Sequence, residues 1–233
     1  MNGHPPPARP VRPRSSGVAE THWVAWHRPY DDPTSALYRR LTAVRTRIVE
    51  ALDRPPGPVA VISMCAGQGR DLIGALSGHP RAADVSARLV EADPANAATA
   101  DVAARAAGLD GVVTAVGDAG LAVAYDGAVP ADIVLVCGVF GNIAERDIAG
   151  TIRCLPTLCA PGATVIWTRH RRPPDLTPRI VGWFLDAGFR EVGVDAPDGD
   201  WFSVGAHQLV GPPRPFDPGQ HLFTFTGDGT LPA

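Results

Sequence analysis

Apolar segments of strand length alternate with helical segments along most of this chain, and this alternation constrains the possible folds more than any other feature. Strands are predicted at residues 58–64, 87–92, 112–116, 132–137 and 164–168. Helices are predicted between or after them, at residues 70–77, 94–108, 145–159 and 177–187. Repeated strand–helix–strand units are typical of a doubly wound α/β fold, in which a parallel sheet carries helices on both faces.

Two more strands are predicted near the end of the chain, at residues 189–194 and 202–210. The connection between them reads Ala-Pro-Asp-Gly-Asp at residues 196–200, which is typical of a turn and too short for a crossover helix. We therefore expect this last pair to be antiparallel.

The N-terminal quarter of the chain divides into a tail and a helix. Residues 1–19 are rich in proline and arginine and have little to bury, so we expect a disordered tail. An aromatic-rich segment follows, with His22, Trp23, Trp26, His27 and Tyr30. A helix is then predicted to open at Asp32-Pro33, and its apolar stripe is formed by Leu37, Leu41, Val44, Ile48 and Leu52. We expect residues 20–54 to form an N-terminal helical lid on a domain at 55–233.

Composition excludes several classes of protein. The 233 residues are 45% apolar and 19% charged, which is typical of one globular domain, and the net charge of −3 argues against general nucleic-acid binding. The sequence contains no run of 18 apolar residues and no apolar signal segment, so we expect a cytoplasmic protein without a membrane span. Its four cysteines form no Cys-x-x-Cys pair and no histidine lies at zinc-ligand spacing, so no metal site is predicted.

A glycine-rich turn joins the first strand of the sheet to the helix that follows it. It reads Cys-Ala-Gly-Gln-Gly-Arg-Asp at residues 65–71. Small residues let the backbone approach a ligand closely, and the start of the helix offers free N–H groups. Glu91 closes the second strand, 22 residues after Gly69, where a carboxylate can take both hydroxyls of a ribose. Together the turn and the acid predict an adenosine-binding site.

The start of the next helix distinguishes between two adenosine-containing ligands. Sites for NAD and FAD place a pyrophosphate at the helix N-terminus, typically behind a Gly-x-Gly-x-x-Gly turn. Here Asp71 stands at that position, where its carboxylate would repel a pyrophosphate and would suit an ammonium group or cap the helix. This favours S-adenosylmethionine (SAM) and leaves an NAD-dependent oxidoreductase as an alternative.

Five motifs make the chain resemble the class I SAM-dependent methyltransferases, most of all a group of actinobacterial methyltransferase-domain proteins. They are Cys-Ala-Gly-Gln-Gly-Arg-Asp (65–71), Leu-Val-Glu-Ala-Asp-Pro (89–94), Gly-Asp-Ala (117–119), Cys-Gly-Val-Phe-Gly-Asn (137–142) and Trp-Thr-Arg-His (167–170). Each motif is modest alone, but their order and spacing are fairly specific. The resemblance implies a Rossmann-like, doubly wound sheet of seven strands in the order 3-2-1-4-5-7-6, with the last strand antiparallel.

The resemblance also implies which residues bind SAM. Those implied for the methionine half are Tyr30, Cys65, Ala66, Gly67, Gly69 and Asp71. Those implied for the adenosine half are Glu91 at the ribose, with Ala92, Asp118 and Ala119 at the adenine. The residues implied beneath the sulfonium are Cys137, Gly138 and Val139. The chain departs from the family pattern at Cys65, where the first glycine usually stands, and at Ser63, where many members carry an acid.

Catalytic candidates are predicted at the carboxyl ends of strands, where open α/β sheets bind their ligands. His170 follows the fifth strand, Asn142 follows the fourth as a substrate-orienting amide, and His27 lies in the N-terminal segment. The loop at 137–142 lacks the Asn/Asp-Pro-Pro-aromatic signature of enzymes that methylate exocyclic or amide nitrogens. We therefore expect O- or N-methylation of a small molecule, with Phe140 and the aromatic N-terminal segment as pocket walls.

Several alternatives remain open at the level of sequence. The basic run Arg-His-Arg-Arg at 169–172 fits a solvated loop, an acidic methyl acceptor, or guidance of RNA. A SAM-binding protein without transferase activity, acting as a regulator or a partner subunit, also fits the motifs. Neither the acceptor nor the oligomeric state is predicted.

Overall fold

A computed structural model of the chain describes residues 28–53 and 57–225. In these two ranges the helices are α1 (Ala36–Leu52), α2 (Arg70–Leu76), α3 (Pro94–Ala106), α4 (Glu145–Cys154) and α5 (Thr177–Asp186). The strands are β1 (Val59–Met64), β2 (Val85–Glu91), β3 (Val112–Val116), β4 (Ala131–Val136), β5 (Cys159–His170), β6 (Phe189–Asp195) and β7 (Phe202–Leu209). The predicted tail lies outside the described residues.

The seven strands form one sheet in the order β3-β2-β1-β4-β5-β7-β6. Strands β1 to β5 pair in parallel, whereas β7 is antiparallel to both of its neighbours, β5 and β6. This confirms the predicted order and the antiparallel last strand. Because the chain reverses its direction of winding between β1 and β4, the turns that follow these strands meet at a topological switch point, where such sheets bind ligands.

Three elements have a boundary that differs from the prediction by three residues or more. Helix α4 ends at Cys154 rather than at residue 159, because Pro156 has no N–H group with which to continue it, and a short 3-10 turn follows. Strand β5 is longer than predicted and reaches His170, which pairs with Phe202 of β7. Helix α1 begins at Ala36, and its N-cap is Ser35, whose Oγ accepts a 3.0 Å hydrogen bond from the backbone of Tyr38.

Helices pack on both faces of the sheet. On one face α1, α2 and α3 share a core with the strands, in which Ile48 and Leu72 lie with Ile133 of β4. On the other face α4 and α5 cover a second core that contains Trp167 and Phe184. Helix α1 therefore belongs to the same hydrophobic core as the strands, although the sequence pattern divides the chain after residue 54.

The segment after β7 returns across the sheet on the side of α4. Its residues Leu222 and Phe223 are only 5% and 3% exposed, and the Leu222 backbone N–H donates a 2.7 Å hydrogen bond to the Gly120 carbonyl. Isolated antiparallel bridges join Leu121 to His221 and Ile143 to Phe225. Residues 216–225, here termed the C-terminal strap, thus connect the loops that follow β3 and β4.

In the described part of the chain, no helix combines the length and the hydrophobicity that crossing a membrane requires. Within the same ranges, no three or more His, Cys, Asp or Glu side chains are grouped so that they could hold a metal ion. All four cysteines are free thiols, and burial raises the pKa of Cys159 to about 12.

Candidate functional site

The turn after β1 adopts a left-handed backbone conformation at three positions. The φ angle is 52° at Cys65, 56° at Gly67 and 65° at Gly69. A Cβ atom on Gly69 would lie 2.7 Å from Cδ1 of Ile73 and 2.8 Å from Cδ2 of Leu89. Glycine at this position therefore permits both the backbone conformation and the close packing of the turn between α2 and β2.

Glu91 links this turn to the end of β2 through hydrogen bonds. Its side chain is buried, and Oε2 accepts a 2.8 Å hydrogen bond from the Gly67 N–H while Oε1 accepts one of 2.8 Å from the Asp93 N–H. Each carboxylate oxygen has two lone pairs, so Glu91 keeps further acceptor capacity. The structure thus brings Glu91, the acid predicted to bind the ribose, into direct contact with the glycine-rich turn.

The loop after β3 brings a second carboxylate near the same turn. Asp118 is exposed, and its Oδ1 accepts a 2.8 Å hydrogen bond from the Gly120 N–H. Burial raises the pKa of the Cys65 thiol far above its usual range, and the carboxylates of Glu91 and Asp118 raise it further. Both acids therefore lie within electrostatic range of Cys65. Two alanines accompany them, the exposed Ala92 and the buried Ala119.

A second polar cluster surrounds Asp71 at the start of α2. Burial raises the pKa of the Asp71 carboxyl, and this effect outweighs the hydrogen bond from the Leu72 N–H and the nearby guanidinium groups of α1. Arg40 donates a hydrogen bond to the Tyr30 hydroxyl, and its guanidinium carbon lies 5.7 Å from the centroid of the Tyr30 ring. Burial raises the pKa of Tyr30 against the lowering effect of Arg40, and Asp71 raises it further. Tyr30, Arg40 and Asp71 therefore form one interacting group.

The loop after β4 completes this side of the site. Burial raises the pKa of the Cys137 thiol well above its usual range, and Asp71 adds to the effect, which places the two side chains near each other. Gly138 has a φ of 78°, and no heavy atom of the described residues lies within 4 Å of the place where a Cβ would be. Its N–H donates a 2.9 Å hydrogen bond to Oγ1 of Thr168, and the next residue, Val139, is fully buried. Open space therefore adjoins Gly138, whereas Val139 belongs to the core.

Arg40 and Arg45 of α1 are site residues that the sequence analysis missed. Arg45 donates hydrogen bonds of 3.0 and 2.7 Å from Nε and a terminal nitrogen to the carbonyl of Arg70, at the end of the turn. Arg70 in turn donates to Oε1 of Gln68 at 2.9 Å and forms an ion pair with Asp31. The only signal in the sequence was a group of arginines beside the apolar stripe of the first helix, and helical spacing does not identify their contacts.

His170 ends β5 beside the loop that follows β4. Its Cδ2 lies 3.8 Å from the place where a Cβ on Gly141 would be. Burial lowers the pKa of the imidazole below its usual value, and the positive charges of Arg169 and Arg172 lower it further, which favours the neutral ring. Its Nδ1 is buried and has no hydrogen-bond partner among the described residues. A neutral imidazole in this state is able to accept a proton.

Two other residues that the sequence placed near the acceptor are engaged within the loop itself. Asn142 Nδ2 donates a 2.6 Å hydrogen bond to the Gly138 carbonyl, and Arg169 donates one to the Phe140 carbonyl.

The expectation that the Phe140 side chain lines a pocket is wrong. This side chain is fully buried, and its ring packs 6.1 Å from Trp167 between the sheet and α5. The third catalytic candidate, His27, lies outside the described residues.

The arginines of the basic run at 169–172 mostly contact other residues of the protein. Arg171 donates to Asp175 at 3.1 Å and to the carbonyls of Ala196 and Pro197. The Arg172 guanidinium lies 5.8 Å from the centroid of the Trp201 ring. These contacts accommodate the consecutive basic side chains at the end of β5.

Comparisons with known proteins find matches among solved structures alone. No protein-family model matches the chain, and no curated protein matches it. Many solved structures do. An O-methyltransferase family protein from Burkholderia thailandensis superposes with a TM-score of 0.59 at 20% identity, over 77% of this chain and 57% of that one. Magnesium protoporphyrin IX methyltransferase from Synechocystis PCC 6803, solved with bound SAM, gives 0.58 at 14% identity over 79% and 89%.

This chain has the class I methyltransferase fold. It spans little more than half the length of the Burkholderia protein. The [4+2]-cyclase SpnF is also similar, with a TM-score of 0.52 at 13% identity over 73% of this chain and 81% of that one. Since this fold occurs in a cyclase as well as in methyltransferases, the reaction has to be argued from the site.

Proposed function

We propose that this chain is a SAM-dependent methyltransferase that acts on a small molecule. The observation that carries the proposal is the meeting of three features at the carboxyl edge of the sheet. These are the left-handed turn at Gly67, the buried Glu91 carboxylate bonded to it, and the half-buried Asp71 at the start of α2. A dinucleotide would have to place its pyrophosphate against Asp71, which electrostatic repulsion disfavours.

The adenosine side of the site fits SAM. In the proposal, the lone pairs of Glu91 that remain after its two backbone hydrogen bonds accept hydrogen bonds from the two ribose hydroxyls. Asp118 is exposed near Cys65 and accepts from the adenine amino group. Ala92 and Ala119 provide small apolar surfaces beside the adenine ring.

On the methionine side, the chain offers a suitable partner for each charged group of the methionine moiety, its ammonium and its carboxylate. Burial raises the pKa of Asp71, so an ammonium group beside it would offset part of the cost of burying that carboxylate. Tyr30 and Arg40 are donors for the methionine carboxylate. The open space beside Gly138 leaves room for the sulfonium, whose methyl group is an electrophile that an acceptor must approach in line.

The acceptor side is built from His170 and the loop after β4. In the proposal, the imidazole of His170, whose neutral form is favoured by burial and by the neighbouring arginines, takes the proton from a hydroxyl acceptor as that oxygen attacks the methyl carbon. An amine acceptor that is already neutral needs no such base. In the proposal, Asn142 and Arg169 act as positioning residues, because they hold the loop that faces His170.

The proposal is tested by incubating the full chain with SAM and a panel of small hydroxyl, amine and carboxyl compounds and measuring S-adenosylhomocysteine (SAH). We expect at least one class of acceptor to yield SAH. For a hydroxyl acceptor, His170→Gln should lower kcat about 100-fold or more while SAM affinity stays unchanged. The matched control is His79→Gln, at a half-buried histidine that precedes β2 at the opposite edge of the sheet.

Three outcomes would contradict the proposal. Saturable NADH binding without SAM binding would indicate an oxidoreductase. Tight SAM binding with no SAH formed from any class of acceptor would indicate a SAM-binding protein of another function, such as a regulator. An equal loss of activity in His170→Gln and His79→Gln would show that His170 does not act as the base.

A further inference from the structure

A groove of about 560 Å³ lies between α4 and the C-terminal strap, apart from the cofactor site. Helix α4 contributes Arg146 and Arg153 to its lining, and Arg214 lies just before the strap. The strap contributes the exposed His221 and the buried apolar side chains of Leu222 and Phe223. None of the lining residues belongs to the turns after β1, β2 or β3, so an occupant of this groove is distinct from the ligand of the glycine-rich turn.

The lining of this groove is basic, whereas the net charge of the chain is negative. Three guanidinium groups face one carboxylate, that of Asp147, whereas the chain as a whole carries a net charge of −3. Other arginines of the described surface form close ion pairs, including Arg39 with Asp200 and Arg179 with Glu145. Arg153 and Arg214 form no ion pair among the described residues, and both border this groove.

We propose that this groove binds a small organic molecule that carries a dianionic group. Guanidinium groups bind phosphate and carboxylate oxygens through paired, charge-assisted hydrogen bonds, and two of them, on Arg153 and Arg214, border the same space. Leu222 and Phe223 provide apolar surface for the body of the ligand. A volume of about 560 Å³ lies within the range of small-molecule sites.

Binding in this groove joins two parts of the fold. A ligand that contacts Arg153 on α4 and His221 on the strap holds the strap against the helix. The strap is already bonded to the loop after β3 through Leu222 and Gly120, and its carbonyl at Leu222 accepts a 3.0 Å hydrogen bond from Oγ1 of Thr151 in α4. Because such a ligand binds only the folded chain, it raises the midpoint of thermal unfolding as its concentration increases.

The test is calorimetric titration of the full chain with phenyl phosphate, inorganic phosphate and phenol at low ionic strength. Phenyl phosphate combines an apolar body with a dianion, and the other two probes supply the parts separately. We expect saturable binding of phenyl phosphate, weaker binding of inorganic phosphate, and none of phenol. Arg153→Gln and Arg214→Gln should each weaken phenyl phosphate binding about tenfold, since each removes a charge-assisted contact. Added salt should weaken it as well.

Arg105→Gln is the matched control, because Arg105 is also an exposed arginine near a helix end and does not line the groove. This variant should bind phenyl phosphate as the wild type does. An equal loss in Arg105→Gln would indicate non-specific charge attraction and overturn the proposal. So would absence of saturable binding at millimolar concentrations, or displacement of phenyl phosphate by SAH, which would place the probe in the cofactor site. These readouts do not depend on methyl transfer, so the groove and the proposed function can fail separately.

Discussion

Cys65 occupies a backbone conformation, with φ of 52°, that residues with a Cβ atom adopt rarely. The left-handed conformation favours glycine at this position, so a cysteine adopts it at an energetic cost. The side chain is accommodated because it is partly buried against the core on the α4 side of the sheet. Burial also raises the pKa of its thiol, so Cys65 is a packing residue under strain rather than a nucleophile.

Replacing Cys65 separately by glycine and by alanine isolates this strain. At an ordinary helix or strand position alanine is the more stabilising of the two by about 0.5–1 kcal/mol. At a left-handed position the order reverses, and we expect Cys65→Gly to be more stable than Cys65→Ala by about 1 kcal/mol. The measurement is the free energy of unfolding in urea for the two variants. Greater stability of the alanine variant would contradict the left-handed turn.

His207 makes stability depend on pH. The residue is fully buried, Trp167 Nε1 donates a 3.1 Å hydrogen bond to its Nδ1, and burial lowers its pKa to about 4. The unfolded chain, with an ordinary histidine pKa near 6.5, therefore binds more protons than the folded chain between these two values. The free energy of unfolding should fall by about 2–3 kcal/mol from this group as the pH drops from 6.5 to 4.

The variant His207→Asn tests this contribution. The asparagine Oδ1 can accept the hydrogen bond from Trp167, but the side chain does not titrate. Denaturant unfolding of both proteins from pH 7 to pH 4 should give a shallower loss of stability in the variant, whatever its stability at pH 7. Parallel pH profiles for the two proteins would show that His207 does not carry the effect.

At the level of elements, the pairing of β5 with β7 depends on a matched large and small residue. Trp167 pairs directly with Gly205, and a Cβ on Gly205 would lie 2.2 Å from Cε2 of the indole. Gly205→Ala must displace a fully buried tryptophan, and we expect it to reduce the free energy of unfolding by about 1–3 kcal/mol. The control is Gly182→Ala in α5, where no heavy atom of the described residues lies within 4 Å of the new Cβ. It should stabilise the protein by up to about 1 kcal/mol. Similar effects of both changes would contradict the close packing at Gly205.

The C-terminal strap is a second element whose packing can be measured. Leu222 is 5% exposed in the strap, whereas Leu185 is 53% exposed on α5. Leu222→Ala should reduce the free energy of unfolding by about 2–4 kcal/mol through loss of burial and the cavity left behind. Leu185→Ala should change it by about 0.5 kcal/mol or less. Urea unfolding of the two variants gives the comparison, and equal small effects would mean that the strap is not docked in solution.

The difference between these elements explains which parts of the fold could be predicted. The strands and helices follow from periodicity and turn residues, which are local signals, and even the antiparallel pair could be derived from the short connection at 196–200. The strap has no such signal. The segment before it, at residues 211–215, is rich in glycine and proline, and the position of the strap depends on contacts with Gly120 and Thr151, far away in the chain.

For the whole molecule, helix α1 connects the candidate site to the antiparallel edge of the sheet. Arg45 binds the backbone of the turn, while Arg47 forms paired hydrogen bonds of 2.8 and 3.0 Å with Asp195 at the end of β6. The candidate site is therefore assembled by long-range contacts on a helix that precedes the sheet. Glu91 and Asp71 could be identified from spacing and chemistry. Arg40 could not, because its contact with Tyr30 depends on how α1 is oriented.

The central claim is that the turn and Glu91 form a site for SAM, and the most direct test is calorimetric titration of the full chain with SAH. We expect saturable one-to-one binding by the wild type. Glu91→Gln should weaken it about tenfold or more, because it removes a charged acceptor for the ribose hydroxyls. The matched control is Glu191→Gln, at an exposed position on β6, and it should bind SAH as the wild type does. The midpoint of thermal unfolding verifies that each variant is folded. No saturable binding by the folded wild type, or unchanged affinity in a folded Glu91→Gln variant, would contradict the claim.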